Sequence, residues 1–203
     1  MKLTKVRIQN YRSVEDSEEF EIGDLTCLVG KNEAGKTALL SAMRGLKPSQ
    51  PFEFDETIDY PRRFSTRFDD RHPDGSAEVI RAWWRLDEPD KAAVEKRFGN
   101  GVLKGDTFQS NFGFRYEGNK RKWTIEIDNA KALENLVSKH ALDATERNVL
   151  HGVNDGPAAD KALTGWAERT PKQEALLLDI KKCRGSSFIN GVIDILSEFQ
   201  PKF

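Results

Sequence analysis

Residues 30–37 read Gly-Lys-Asn-Glu-Ala-Gly-Lys-Thr and satisfy every fixed position of the pattern G-x-x-x-x-G-K-[ST]. No other stretch constrains the fold as tightly, because the pattern has a mechanism only where a strand runs through a glycine loop into a helix. Upstream, Leu25-Thr26-Cys27-Leu28-Val29 is a short apolar, β-prone run that reads as a buried strand. Downstream, residues 36–44 combine strong helix formers with an apolar face, and Gly45 and then Pro48 stop them. Gly30 and Gly35 let the backbone curl so that successive N–H groups point inward at an anion. The helix N-terminus adds positive partial charge at the same place. The expected cradle is Gly30, Lys31, Asn32, Glu33, Ala34, Gly35, Lys36, Thr37 and Ala38. Within it, Lys36 and Thr37 carry the chemistry: Lys36 reaches the β- and γ-phosphates of a nucleotide, and the Thr37 hydroxyl ligates Mg²⁺.

The rest of the chain divides by pattern into three segments: a core over 1–47, a loop with an antiparallel β insert over 48–129, and a helical segment over 130–203. Lys2 to Ile8 alternates apolar and polar residues as a strand, with an irregularity around Thr4. Glu18 to Ile22 reads as a second short strand, so the opening order is strand, strand, strand, loop, helix. Residues 48–76 show no period and read as a long surface excursion. Ala77 to Leu86 returns to a strand, with Trp83 and Trp84 on opposite faces. A short helix follows from Lys91 to Arg97, with Gly99 just beyond its end. Thr107–Tyr116 and Lys122–Asp128 form a hairpin around residues 117–120. In the last segment, Asp143 with Glu146 and Thr170-Pro171-Lys172-Gln173 are helix start signals. Pro157 to Arg169 and Ser187 to Gln200 complete the expected helices.

The stretch from Lys5 to Met43 resembles the N-terminal end of RecF/SMC/OLD-like ATPases of the ABC class, including bacterial members named as AAA ATPases. The resemblance is carried by Val6-Arg7-Ile8-Gln9-Asn10-Tyr11-Arg12-Ser13, by Leu25 through the phosphate loop, and by Leu39-Leu40-Ser41-Ala42-Met43. It implies an α/β P-loop NTPase, an ABC-ATPase-like head lobe that binds ATP and Mg²⁺. It also implies self-association, or pairing with a second ATPase half, across the nucleotide. DNA handling by the intact assembly follows from the same resemblance, and Arg12 becomes a candidate phosphate-proximal or DNA-proximal residue.

The chain departs from that family in several places. Hydrolysis there needs a Walker B strand, four apolar residues and then Asp-Glu, together with a Ser-Gly-Gly-type signature. Thr124-Ile125-Glu126-Ile127-Asp128 alternates as a hairpin strand does. Val192-Ile193-Asp194-Ile195-Leu196 falls on an expected helix, and Arg184-Gly185-Ser186-Ser187 is not the signature. Asp128 or Asn129 stands where the family's Q-loop metal contact would lie. The expectation is an incomplete ATPase head, weak or inactive alone. Two alternatives stand beside it: a small P-loop kinase or GTPase, and a non-catalytic module that nucleotide regulates.

Composition adds exclusions. The formal net charge is −1, so bulk charge does not advertise nucleic acid. Basic groups at Arg62-Arg63 with Arg67 and Arg71, at 120–122, and at Lys181-Lys182 with Arg184 are mixed with acids and read as solvated surface. No apolar run approaches the ~20 residues that span a bilayer, so no membrane role is expected. Two cysteines give no disulfide framework and fit a reducing, cytoplasmic setting. Cys27 is expected to pack as a small hydrophobe in the strand before the loop.

Overall fold

The computed structural model describes residues 1–31, 35–50, 52–117 and 121–201. The chain folds as two units. The first comprises Met1–Leu86 and Thr107–Thr124, with Gln200 and Pro201, and the second comprises Asp87–Asp106 and Ile125–Phe199.

The first unit is a sheet with a helix on one face. Strand β1 (Lys2–Tyr11) buries Leu3, Val6, Ile8 and Tyr11. The alternation breaks between Leu3 and Lys5, where the register with β4 (Ala77–Arg85) shifts, at the Thr4 irregularity that the sequence predicts. The Thr4 hydroxyl there donates to the Trp83 carbonyl at 3.0 Å. Short strands β2 (Val14–Asp16) and β3 (Phe20–Glu21) both pair with β1, and β5 (Thr107–Phe114) pairs with β4. Strand β6 (Lys122–Thr124) pairs with β5, which realises the expected hairpin with a shorter second strand. The order is β2-β1-β4-β5-β6 with β3 beside β1, and every pairing is antiparallel. Gly113 permits the close approach of β5 to β4, since a Cβ there would lie 1.9 Å from the Ala77 carbonyl oxygen.

Helix α1 (Lys36–Met43) lies against β1 and β4 and buries Ala38 and Ala42. Beyond it, Phe54 packs edge-on to Tyr11 with ring centroids 5.5 Å apart and lies 5.2 Å from Phe112. On β4, Trp84 is fully buried, stacks on Phe108 and donates its indole N–H to Ser110 Oγ at 2.8 Å, whereas Trp83 is half-buried. The two rings thus take opposite faces of the strand, as the period-two reading requires. The 48–76 excursion carries two short helices, α2 (Glu56–Asp59) and α3 (Phe68–Arg71), joined through a 3-10 turn over Arg62–Arg67.

One expectation fails. Residues 25–29 form no strand: Leu25 is 92% and Val29 90% exposed, and Cys27 is exposed rather than packed. The reason is pairing. A strand needs a neighbour for its N–H and C=O groups. Strand β1 already bonds β2 and β3 on one side and β4 on the other. The described sheet therefore offers this run no partner beside β1.

The second unit is helical, and the Gly99, Asp143–Glu146 and Thr170–Gln173 signals of the sequence fall at helix ends in it. Helix α4 (Glu88–Phe98) begins at a reciprocal capping box of Asp87 and Asp90, and its C-cap is Gly99. Helix α5 (Asn129–Lys139) starts with Asp128 accepting from the Lys131 N–H at 2.9 Å. The Asp128 carboxylate, considered above as a metal contact, is thus engaged as a helix cap. Asp143 and Glu146 form the expected box for α6 (Ala144–Arg147), which continues as a 3-10 turn to Leu150. Helix α7 (Gly156–Thr164) ends sooner than expected, with Gly165 as its C-cap. Helix α8 (Pro171–Lys181) opens with the complete Thr170–Gln173 box, and α9 (Phe188–Phe199) follows. Phe98, Leu163, Leu176, Ile180, Phe188, Val192 and Leu196 form the unit's core, together with a buried Cys183.

Candidate nucleotide-binding site

The phosphate-loop sequence folds onto the N-terminus of α1. Gly35 adopts a left-handed backbone (φ 80°, ψ 7°) and is the N-cap residue. No side chain caps that end. A helix N-terminus presents amide donors with no intrahelical partner, and without a competing cap they are available to an anion. The Lys36 ammonium reaches back across the loop and donates to the carbonyl oxygens of Gly30 (2.5 Å) and Lys31 (2.6 Å). The loop is thereby closed from its end to its beginning by a positive charge. Thr37 is exposed in the first turn, and Ala38 turns into the core. Asn32, Glu33 and Ala34, also expected in the cradle, lie outside the described residues.

The other side of Gly35 is closed by the turn after β1. A Cβ on Gly35 would stand 3.1 Å from Val14 Cγ2 and 3.3 Å from Ser13 Oγ. Glycine is favoured here twice over, by its positive φ and by a contact tighter than a Cβ ordinarily makes. The Asn10–Ser13 turn, roughly twenty residues away in sequence, is therefore a wall of the loop. Asn10 and Arg12 both have left-handed backbones (φ 53° and 51°), which makes the turn sharp.

Arg12 is fixed by one residue. Its backbone N–H donates to the Asp59 carbonyl at 2.6 Å, and its Nε donates to Asp59 Oδ1 at 2.9 Å. The guanidinium also lies over the Tyr11 ring, 5.1 Å from the centroid. Asp59 is buried, and its second oxygen accepts from the Asp55 N–H at 3.2 Å. Burial first, and then the Asp59 charge, push the Tyr11 phenol up to about 12. Residue-by-residue reading of the sequence finds Arg12 but misses Asp59. It lies 47 positions away, in a stretch whose only signal is an Asp-rich turn.

These residues suit a nucleoside triphosphate with Mg²⁺: a helix end with no side-chain cap, a lysine ammonium that among the described residues donates to loop carbonyls, and a threonine exposed in the first turn.

Comparison with known proteins agrees with the geometry. A family model described as "AAA ATPase domain" matches residues 1–152. A protein of Methanocaldococcus jannaschii, "Uncharacterized protein MJECL44", is 32% identical over 89 residues, which are 44% of this chain and 25% of that protein. The chain thus spans about a quarter of the length of that relative. The family match takes in the sheet, the phosphate loop and the turn that walls it, so the chain belongs to the AAA ATPase domain family, whose fold is that of the P-loop NTPases.

Proposed function

We propose that this chain is the ATP-binding lobe of a RecF/SMC/OLD-like ATPase acting in DNA repair or in defence against phage. The observation that carries ATP binding is the uncapped N-terminus of α1 behind left-handed Gly35, with Lys36 spanning the loop. The backbone of Gly30, Lys31 and Gly35 and the Lys36 ammonium would hold the phosphates, and Thr37 would hold Mg²⁺. The ion supplies charge neutralisation on the phosphate oxygens. The chain's own residues bind and orient: Gly35 keeps the helix end open, and Lys36 exchanges carbonyl partners for phosphate oxygens.

Hydrolysis in this reading depends on a Walker B acid and a signature contributed from elsewhere, by a second ATPase half or by self-association across the nucleotide. The exposed run Leu25–Val29, and Leu40 at 57% exposure on α1, support this. Apolar, β-prone residues leading into a phosphate loop are what a further strand would cover. The same observation favours the second reading, a nucleotide-regulated interaction module, over a self-sufficient kinase. DNA contact is proposed for the intact assembly, in the cytoplasm.

Thermal unfolding with MgATP, together with a phosphate-release assay, tests this reading. Ligand at a hundred times its Kd stabilises by about 2.7 kcal/mol. The wild type should be stabilised without appreciable turnover, and Lys36→Ala should not be stabilised. Equal stabilisation of both proteins would refute the site. Robust turnover that Lys36→Ala abolishes would refute the dependence on a second half.

A further inference from the structure

The helical unit carries an open groove of about 630 Å³ between the end of α5 and one side of α8. Lys139 and His140 line it from α5, and Ala175, Leu178, Lys181 and Lys182 line it from α8 and its C-cap. Asp179 fixes its shape. The buried Asp179 carboxylate accepts from Lys139 Nζ at 3.0 Å, from His140 Nε2 at 3.1 Å and from Lys182 Nζ at 3.1 Å. Burial disfavours the charged form, but these three bonds outweigh it and hold the carboxyl well below the usual carboxylate range. The ends of the two helices are thereby tied together, and the groove is formed before any ligand arrives.

Two features of the groove point to what it takes. The first is apolar. On α8, Leu176 and Leu177 are buried, whereas Leu178 is 63% exposed. By i, i+3, i+4 spacing it shares a helix face with Ala175, Lys181 and Lys182. A single exposed leucine on a convex surface needs no explanation, but this one lines a concavity. The second feature is charge. Three ammonium groups line the groove against one carboxylate, and both oxygens of that carboxylate are already bonded. An ammonium has three donors, so Lys139 and Lys182 each spend one on Asp179 and keep others for a ligand. Lys181 meets Asp160 loosely, at 3.7 Å. A nucleic-acid backbone would find these cations, but it would lay phosphate charge over Leu178 and the Asp179 carboxylate. A carboxylate-rich peptide meets the same cations and brings an apolar side chain for the leucine.

We propose that this groove docks an acidic amphipathic segment of a protein partner, with an apolar side chain seated on Leu178 and Ala175 and carboxylates on Lys139, Lys181 and Lys182. The lysine stems extend the apolar floor, while their ammonium groups stay in water at the rim. Docking here is independent of the nucleotide site, since every residue involved belongs to the helical unit.

The test is an NMR titration of the isotope-labelled full chain with a synthetic peptide of glutamate, alanine and leucine, its leucines at i, i+3, i+4 spacing. Saturable shifts are expected in the amides of residues 139–140 and 175–182. Leu178→Ser and Lys181→Glu should each weaken binding about tenfold, the scale of one buried apolar side chain or one charge pair. Both residues are exposed and neither bonds Asp179, so the fold should survive either change. An absence of saturable shifts, or affinity unchanged in both variants, would overturn the proposal. Equal affinity for a peptide with alanine at every leucine position would also overturn it, because charge alone would then suffice. A duplex oligonucleotide that shifts these amides and is lost in Lys181→Glu, where the peptide does not bind, would give the groove to nucleic acid and overturn the protein partner.

Discussion

Replacing Gly35 with alanine separates two reasons for a glycine at that position. The backbone there has φ 80°, and the left-handed region costs an L-residue about 1–2 kcal/mol. Gly75 provides a matched control, because its φ is 72° and a Cβ there would meet nothing within 4 Å. At Gly35 the added methyl would meet Val14 Cγ2 at 3.1 Å and Ser13 Oγ at 3.3 Å, so those atoms must yield by a few tenths of an ångström. Overpacking of this kind adds about 1 kcal/mol, at the low end of its range. Gly75→Ala should therefore cost about 1 kcal/mol and Gly35→Ala about 2 kcal/mol. For a unit of this size each 1 kcal/mol lowers Tm by about 4–8 °C. Urea unfolding followed by tryptophan fluorescence suits the comparison, since Trp83, Trp84 and Trp123 belong to the first unit. The variants should also differ in nucleotide affinity, with Gly35→Ala weakened about tenfold or more, a loss of about 1.4 kcal/mol, and Gly75→Ala unchanged. Equal destabilisation by the two substitutions would refute the close approach of the β1–β2 turn to the loop. Wild-type nucleotide affinity in Gly35→Ala would refute the role given to that backbone.

Further outcomes follow from the same contacts. Burial pushes the phenols of Tyr11 and Tyr116 up to about 12, so the folded state favours their neutral forms. Their contribution is fully present below the ordinary tyrosine value of about 10, and it is lost as pH rises through about 12. Ultraviolet titration should show both ionising later than free tyrosine, with stability falling over that window; ordinary titration of Tyr11 and Tyr116 in the folded protein would contradict this. In the second unit, the Thr170 hydroxyl accepts from the Gln173 N–H at 3.3 Å and donates to Glu146 Oε1 at 2.7 Å. Thr170→Ala should cost about 1–2 kcal/mol in denaturant unfolding, and a change under ~0.5 kcal/mol would show that the box is ornamental.

What the sequence made legible was local. The Thr170–Gln173 and Asp143–Glu146 boxes, the Gly99 stop and the β5–β6 hairpin are each decided by residues within a few positions of one another. Such elements carry their own signals. Residues 25–29 have equally good strand propensity, but a strand exists only beside a neighbour, and propensity says nothing about whether an edge is free. The candidate site divides in the same way. Gly30, Lys36 and Thr37 announce themselves by spacing. The packing of Ser13 and Val14 on Gly35 and the hold of Asp59 on Arg12 join segments far apart in sequence, so only the folded chain displays them.

The central claim is that Lys36 and the open end of α1 form a nucleotide site. Calorimetric titration of the chain with ATP and Mg²⁺, wild type against Lys36→Ala, tests it most directly. The account predicts saturable binding by the wild type and a loss of about ten- to a hundredfold in affinity for the variant, since a hydrogen bond to a charged group contributes about 1.5–3 kcal/mol. Identical isotherms for the two proteins, or no heat from either, would contradict it.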